Sequence, residues 1–221
     1  MVNSQARRGP AREPAWPAYP VPVTIDIRSG LVADAAAITR VRRDSWFAAY
    51  TGIIDRALID RATATGGRAL EPPSYRRTLV AVGGNDSAVI GYAAFGPERT
   101  VVSALTSVTQ AGGDVTPRGT PPAPAPPDDD LTPAGHAGDT GELYALYVTP
   151  AWWSAGAGRA LMGSVLAALG EARYLRVVLW VLADNARARR FYERAGFATD
   201  GATNVLAGLG GVLEVRYVRD I

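Results

Sequence analysis

The 221-residue chain has no cysteine and one histidine, and all 23 of its basic residues are arginine. Without cysteine there is no disulfide, no thiolate nucleophile and no thiolate metal site, and His136 alone cannot assemble a zinc centre, so no metal is expected. Long apolar runs are missing too. Nothing approaches the roughly 18 consecutive apolar residues of a membrane helix, and the N-terminus lacks the charged-then-apolar order of a secretory signal; the expectation is a cytoplasmic protein with no membrane contact. The lack of lysine reads as a compositional bias and carries no functional weight.

Two stretches are poor in core-forming residues. Residues 1–22 hold Pro10, Pro14, Pro17, Pro20 and Pro22 with three arginines, a composition that favours an extended, disordered tail. At about 100–140, prolines from Pro117 to Pro133 lie among Gly, Thr and the run Asp128, Asp129, Asp130, and such a segment cannot repay its ordering entropy by burial. It reads as a disordered insertion in a surface loop. Without these stretches, 19 arginines face 15 acids, a charge of about +4. That suits an anionic ligand and is too mild for nucleic acid, and no basic and aromatic residues interleave to form a base-stacking surface. The expected organisation is a tail at 1–22 and one domain at 23–221, broken by the insertion.

The rest alternates strands and helices. Val23, Ile25 and Ile27 alternate with polar residues as in a half-buried strand, and Asp34 opens a helix with Ile38, Val41, Ser45, Ala48 and Ala49 on one face. A short second helix begins near Asp55. Thr78 to Val82 and Ala88 to Phe95 form two strands joined by the hairpin turn Gly83-Gly84-Asn85-Asp86. Leu143 to Val148 is a strand stopped by Pro150, and Leu175 to Leu182 is an apolar run suited to a central strand. Between them, Gly156-Ala157-Gly158-Arg159 opens a helix whose apolar face holds Leu161, Val165, Ala168 and Leu169. Strand, glycine turn, helix and strand make a right-handed crossover, and the unpaired amides at the helix start attract an anion. Two glycines at a helix start also occur as plain capping devices. After the second strand, Asp184 or Asn185 caps a further helix that Gly196 ends, with Ala188, Phe191, Tyr192 and Ala195 on one face.

The stretch Gly141-Glu142-Leu143-Tyr144-Ala145-Leu146-Tyr147-Val148-Thr149-Pro150, the Gly156-Ala157-Gly158 turn and the Asn185 to Phe197 helix together resemble the acetyl-CoA motifs of the GCN5-related N-acetyltransferases, the GNAT family. The resemblance covers roughly residues 23–99 and 141–221. It implies an α+β fold, with a central, mostly antiparallel twisted sheet, a splayed parallel strand pair and about four flanking helices. It implies acetyl-CoA as co-substrate, with Leu146, Tyr147 and Val148 lending backbone groups to the pantetheine. It also implies that Ala155, Gly156, Ala157, Gly158, Arg159 and Ala160 hold the pyrophosphate, and that Asn185 is a further contact. One departure is plain: the family pattern has Gln or Arg three residues before the first glycine, where this chain has Trp153, and Ala155 replaces a second basic residue. Trp153 either covers the adenine or packs.

Such a transfer sets chemical demands. An amine of pKa near 10.4 is almost wholly protonated at pH 7, and freeing its lone pair costs about 4 to 5 kcal/mol, so a base must help. The departing thiolate benefits from an acid. With no cysteine, direct transfer in a ternary complex is expected in place of an acetyl-enzyme. The resemblance assigns Tyr192 as acid, against the alternative of a core tyrosine with a bonded hydroxyl. Glu142 is the candidate base, against an ordinary exposed strand-end carboxylate. Trp46, Phe47 and Tyr50 sit where relatives build part of the acceptor wall, though aromatics at helical spacing are more often core. The acceptor is left open between a small-molecule amine and a protein N-terminus or side-chain amine, and a homodimer is compatible with the family. A non-catalytic acetyl-CoA sensor is the rival reading. A dinucleotide-binding turn fails, because Leu161 replaces the third glycine and the strand-to-turn junction is too long.

Overall fold

A computed structural model describes residues 24–64, 76–84, 87–99 and 139–221. The tail at 1–22, Val23, the hairpin residues Asn85 and Asp86, His136 and all of the insertion but its last two residues lie outside the described residues.

These residues form one sheet of seven strands and four α-helices, in the order β1 (Ile25–Ser29), α1 (Ala35–Tyr50), α2 (Arg56–Ala64), β2 (Arg77–Gly83), β3 (Ala88–Pro97), β4 (Thr140–Val148), α3 (Ala157–Glu171), β5 (Arg176–Leu182), α4 (Ala186–Arg194), β6 (Ala198–Leu206) and β7 (Val212–Asp220). The sheet order is β1-β2-β3-β4-β5-β7-β6, and every neighbouring pair is antiparallel except β4 with β5. The mixed α+β class, the mostly antiparallel sheet and the single parallel pair are as expected.

Each face of the sheet carries two helices. On one, α3 lays Leu161, Val165 and Leu169 against Ala81, Ala93, Phe95, Leu143 and Leu179, joined by Tyr192 and Phe197 from α4 and the turn after it. Leu161 and Leu169 are at most 1% exposed, and burying each contributes about 2 to 3 kcal/mol. On the other face, Ile38 and Val41 of α1 pack on Val80, Tyr92, Ala94 and Ala145. Beside them, Trp46, Ile59 of α2, Leu182 and Leu209 form a third cluster.

Strand β4 begins at Thr140, three residues before the apolar run that announced it. Gly141 permits this, since a Cβ there would lie 2.8 Å from Leu169 Cδ2, and Glu142 is carried into the sheet as half of an ion pair. Asp34 does not cap α1. It closes a short 3-10 turn at Val32–Asp34, accepting the Leu31 amide at 2.8 Å and pairing with Arg28 at 2.7 and 2.9 Å. The Arg28 hydrogen bonds hold its carboxyl below the usual carboxylate value, more than offsetting the opposing effect of burial. A depressed carboxyl contributes stability above its unfolded pKa and loses it as pH falls through the folded value. Asp34→Asn is therefore expected to cost about 1 kcal/mol near neutrality and progressively less below about pH 4, which thermal melts across that range will show.

Candidate active site

Strands β4 and β5 pair only from Thr140↔Arg176 to Leu143↔Leu179 and then part. The parting coincides with a bulge. Ala94 faces Ala145 and Phe95 faces Leu143, so Tyr144 is an extra residue on β4. Beyond it β4 still pairs with β3, while β5 runs its full length against β7. Between them opens a cavity of about 1030 Å³ that reaches both faces of the sheet.

One mouth belongs to the start of α3. Gly156, at φ 98°, is its N-cap residue, and Ser154 also has positive φ, at 65°. The Ala160 amide closes the first helical turn on Gly156 O at 3.0 Å, and the Ala155 amide reaches Trp152 O at 3.3 Å. The amides of Gly156, Ala157, Gly158 and Arg159 have no hydrogen-bond partner among the described residues. They are the free donors of a helix N-terminus, which carries the positive end of the helix dipole. Of the six turn residues expected from sequence, four thus present open amides, and Ala155 and Ala160 shape the turn.

The open edge of β4 continues the polar wall. Thr149 N bonds Ile90 O, so the antiparallel alternation makes Tyr147↔Tyr92 the next bonded pair and turns the backbone groups of Leu146 and Val148 into the gap. Tyr147, expected to lend its backbone, has that backbone committed to β3 and offers its side chain to the cavity. The Val148 carbonyl is already engaged by Ser45 Oγ at 2.9 Å and Trp153 Nε1 at 2.7 Å. Trp153 is thereby pinned, with the Arg187 guanidinium 4.1 Å above its ring, which favours packing over a free adenine cover.

Helix α4 supplies the other wall. Asn185 caps it, accepting the Ala188 amide at 3.1 Å, and lines the cavity. Arg187, Arg190 and Arg194 share one face and reach the same cavity as Arg159. Their spacing of three and four was visible in the sequence as a basic stripe. Tyr192 is 8% exposed, packed against Phe191, Phe197 and Tyr217. Its hydroxyl makes no hydrogen bond to another described residue, unlike that of Tyr217, which donates to Glu193 at 2.8 Å and accepts from Arg189 at 3.1 Å. Burial, with Tyr147 adding, pushes the Tyr192 phenol well above its ordinary value of 10.0.

On the opposite face lie Trp46, Tyr50, Ile54, Leu206 and Leu209, with Glu142 and Glu214 as the carboxylates of the lining. Trp46 and Tyr50 meet edge to face at 5.1 Å. Burial raises Tyr50 well above the ordinary phenol value, and Tyr147, which shares a hydrogen bond with it, Tyr192 and Glu214 add to the effect. Glu142 is 1% exposed and not the solvent-facing strand end that was the alternative. Its Oε1 accepts Arg99 Nη2 at 2.6 Å and Nε at 3.2 Å, and its Oε2 accepts the Arg99 amide at 2.8 Å. Arg99 also lies 4.3 Å over the Tyr144 ring. Ser45, Arg99, Glu214 and the α4 arginines were not anticipated. Only the arginine spacing and the alternation of Glu214 and Arg216 along the last strand carried a signal.

A model of the acetyltransferase (GNAT) family matches residues 36–197, and the chain belongs to that family. An uncharacterised N-acetyltransferase of Mycobacterium tuberculosis is 42% identical over 80 residues, 36% of this chain and 51% of that protein. The mycothiol acetyltransferase of Beutenbergia cavernae is 47% identical over 58 residues, 26% of this chain and 20% of its own. The chain thus spans about half the length, or less, of these curated relatives. The crystal structure of the PaiA N-acetyltransferase of Thermoplasma acidophilum, in complex with coenzyme A, shares the fold at a TM-score of 0.57 and 17% identity, covering 87% of this chain and 98% of that one.

The Trp153 hydrogen bond gives a direct test. Trp153→Phe keeps a ring beneath Arg187 and removes one donor from the buried Val148 carbonyl, so a loss of about 1 kcal/mol in chemical denaturation is expected.

Proposed function

We propose that this member of the acetyltransferase family binds acetyl-CoA in the gap between β4 and β5 and transfers the acetyl group directly to a primary amine. The observation that carries the reading is the set of open amides at Gly156 to Arg159 beside the parted strands, with Arg159, Arg187, Arg190 and Arg194 on the same side of the cavity. A diphosphate at a helix N-terminus gains about 0.3 to 2 kcal/mol from the dipole, and four arginines supply the rest of the attraction. The pantetheine would lie along the Leu146 and Val148 edge and bring the thioester toward Tyr192. The PaiA structure, which shares this fold, holds coenzyme A.

In this reading the amine nitrogen, once neutral, attacks the thioester carbon, the carbon–sulfur bond breaks and the thiolate takes a proton from Tyr192. The Tyr192 hydroxyl has no hydrogen bond among the described residues, which supports this role over that of a structural phenol. Its raised pKa keeps the proton in place over the working pH range, so the donor is always charged with its proton before attack. Glu142, expected as the base, has both oxygens filled by Arg99, and its geometry favours a positioning role: it fixes Arg99 and Tyr144 where the strands part. Trp46 and Tyr50 would form the acceptor's apolar wall. The acceptor is a small-molecule amine or a protein amine; the relative from Beutenbergia cavernae is named for mycothiol.

Calorimetry with acetyl-CoA is expected to give saturable heat with the native chain and none with Gly158→Glu. At Gly158 an added Cβ would meet Phe191 only at an ordinary 3.5 Å, so the backbone tolerates a side chain while a carboxylate repels phosphate. Heat from the variant equal to the native value would remove the turn from the site. Tyr192→Phe is expected to lower kcat by about 10²-fold, measured as coenzyme A released with a panel of amines, and to leave acetyl-CoA affinity within about twofold. The native kcat/KM should rise with pH as the amine loses its proton and show no alkaline fall up to about pH 10, because Tyr192 titrates above that. Saturable binding with no turnover on any amine would favour the sensor.

A further inference from the structure

We propose that Ser45 is a positioning residue for the cofactor: with Trp153 it clamps the Val148 carbonyl and holds the free edge of β4 in the parted geometry that receives acetyl-CoA. The proposal rests on the acetyl-CoA reading above and deepens it.

Ser45 sits where an apolar residue is expected. Helix α1 buries Ile38, Val41, Ser45 and Trp46, and Ser45 is 3% exposed. Alanine is the better helix former and brings no hydroxyl that must be satisfied inside a core, so a serine here calls for a partner. A hydroxyl within a helix ordinarily turns back to the carbonyl one turn earlier, as Thr39 does to Ala35 at 2.9 Å and Thr63 to Ile59 at 2.8 Å. Ser45 does not. Its Oγ donates at 2.9 Å to the Val148 carbonyl, 103 residues further along the chain.

That carbonyl stands at the end of the parted stretch of β4. Because β5 leaves β4 after Leu143, the ladder beyond that point is the one with β3. There Thr149 fastens to the Ile90 carbonyl through its amide at 2.8 Å and its Oγ1 at 2.6 Å. Val148 O accepts Ser45 Oγ and, at 2.7 Å, Trp153 Nε1. A carbonyl oxygen has two lone pairs, and both are occupied here by side chains. One donor comes from α1, beside Trp46 of the proposed acceptor wall. The other stands three residues before Gly156, which caps the helix with the open amides. The acceptor wall, the pantetheine edge and the phosphate turn of the proposed site are thus tied together at one atom.

Fixing this junction bears on affinity as well as on stability. A cleft whose edge moves is competent for only a fraction of the time, and the apparent dissociation constant rises by the inverse of that fraction. A cofactor that meets an edge already in place has no such ordering to supply.

Calorimetry with coenzyme A on the full chain tests the assignment, comparing Ser45→Ala, Trp153→Phe and Asp34→Asn with the native protein. Asp34 lies at the other end of α1 and outside the cavity wall, so its variant is a control of comparable stability loss. Ser45→Ala and Trp153→Phe are each expected to weaken coenzyme A binding by about fivefold, and Asp34→Asn to leave it within about twofold. Native affinity in either variant of the clamp, or tighter binding because the freed carbonyl serves the ligand, would overturn the proposal. An equal loss in Asp34→Asn would do the same, because it would reduce Ser45 to a contributor to stability. If Ser45→Ala does not fold, Ser45→Cys, close in size and a poor donor, takes its place with the same outcomes. Failure of the native chain to bind coenzyme A would instead remove the acetyl-CoA reading beneath it.

Discussion

The cavity of this molecule, and the site proposed in it, depend on two adjacent parallel strands that stop pairing after four residues. A sheet gains by zipping its strands together, and an unpaired edge inside a protein leaves amides and carbonyls that must be satisfied some other way. Here the Tyr144 bulge shifts the register of β4 on β3 at the point where β5 departs. Each strand keeps one complete ladder, β4 with β3 and β5 with β7, so the parting sacrifices a single line of hydrogen bonds. Part of that line is replaced by side chains, with Ser45 and Trp153 both donating to the Val148 carbonyl. The rest faces the cavity, where a ligand with its own donors and acceptors can complete it.

The same parting explains why chemistry from both faces of the sheet meets in one place. In a closed sheet, Tyr192 of α4 and Tyr50 of α1 would be separated by the strand layer. Through the gap, Tyr147 interacts with both, by a hydrogen bond to Tyr50 and electrostatically with Tyr192. Burial of these phenols holds their protons firmly. A phenol that keeps its proton in this way is suited, in the proposed reaction, to donate to a developing anion.

What could be read from the sequence was local. Gly156, Gly158, Asn185 and Gly196 announce themselves because each meets a backbone demand within its own turn, and the structure gives Gly156 and Gly196 positive φ and Asn185 a cap bond. The apolar alternation located the strands to within a few residues. Contacts joining distant parts of the chain left no comparable mark. Ser45 and the Val148 carbonyl are 103 residues apart, and Arg99 and Glu142 are 43 apart across the proline-rich insertion. Glu142 read as an exposed strand end or a base because nothing near it in sequence shows that an arginine would enclose it. The place of Glu214 follows only from the sheet order, in which β7 sits between β5 and β6.

Trp153 shows how a departure from the family pattern can be absorbed. The family pattern has Gln or Arg three residues before the first glycine, and a tryptophan there removes a polar group from the end of the cavity proposed to hold phosphate. Its indole N–H is spent on the β4 edge, so it cannot act as that group. The ring, however, carries the Arg187 guanidinium at 4.1 Å, and Arg187 lines the same cavity. A positive charge thus returns to the neighbourhood from α4, held by an aromatic face in place of a flexible stem. Because α4 also bears Tyr192, the helix that would meet the cofactor's anionic end and the helix that would supply the proton are one rigid element. In the proposed reaction, a shift of α4 that improved the grip on phosphate would move the Tyr192 hydroxyl with it, and cofactor binding and acid placement would be coupled.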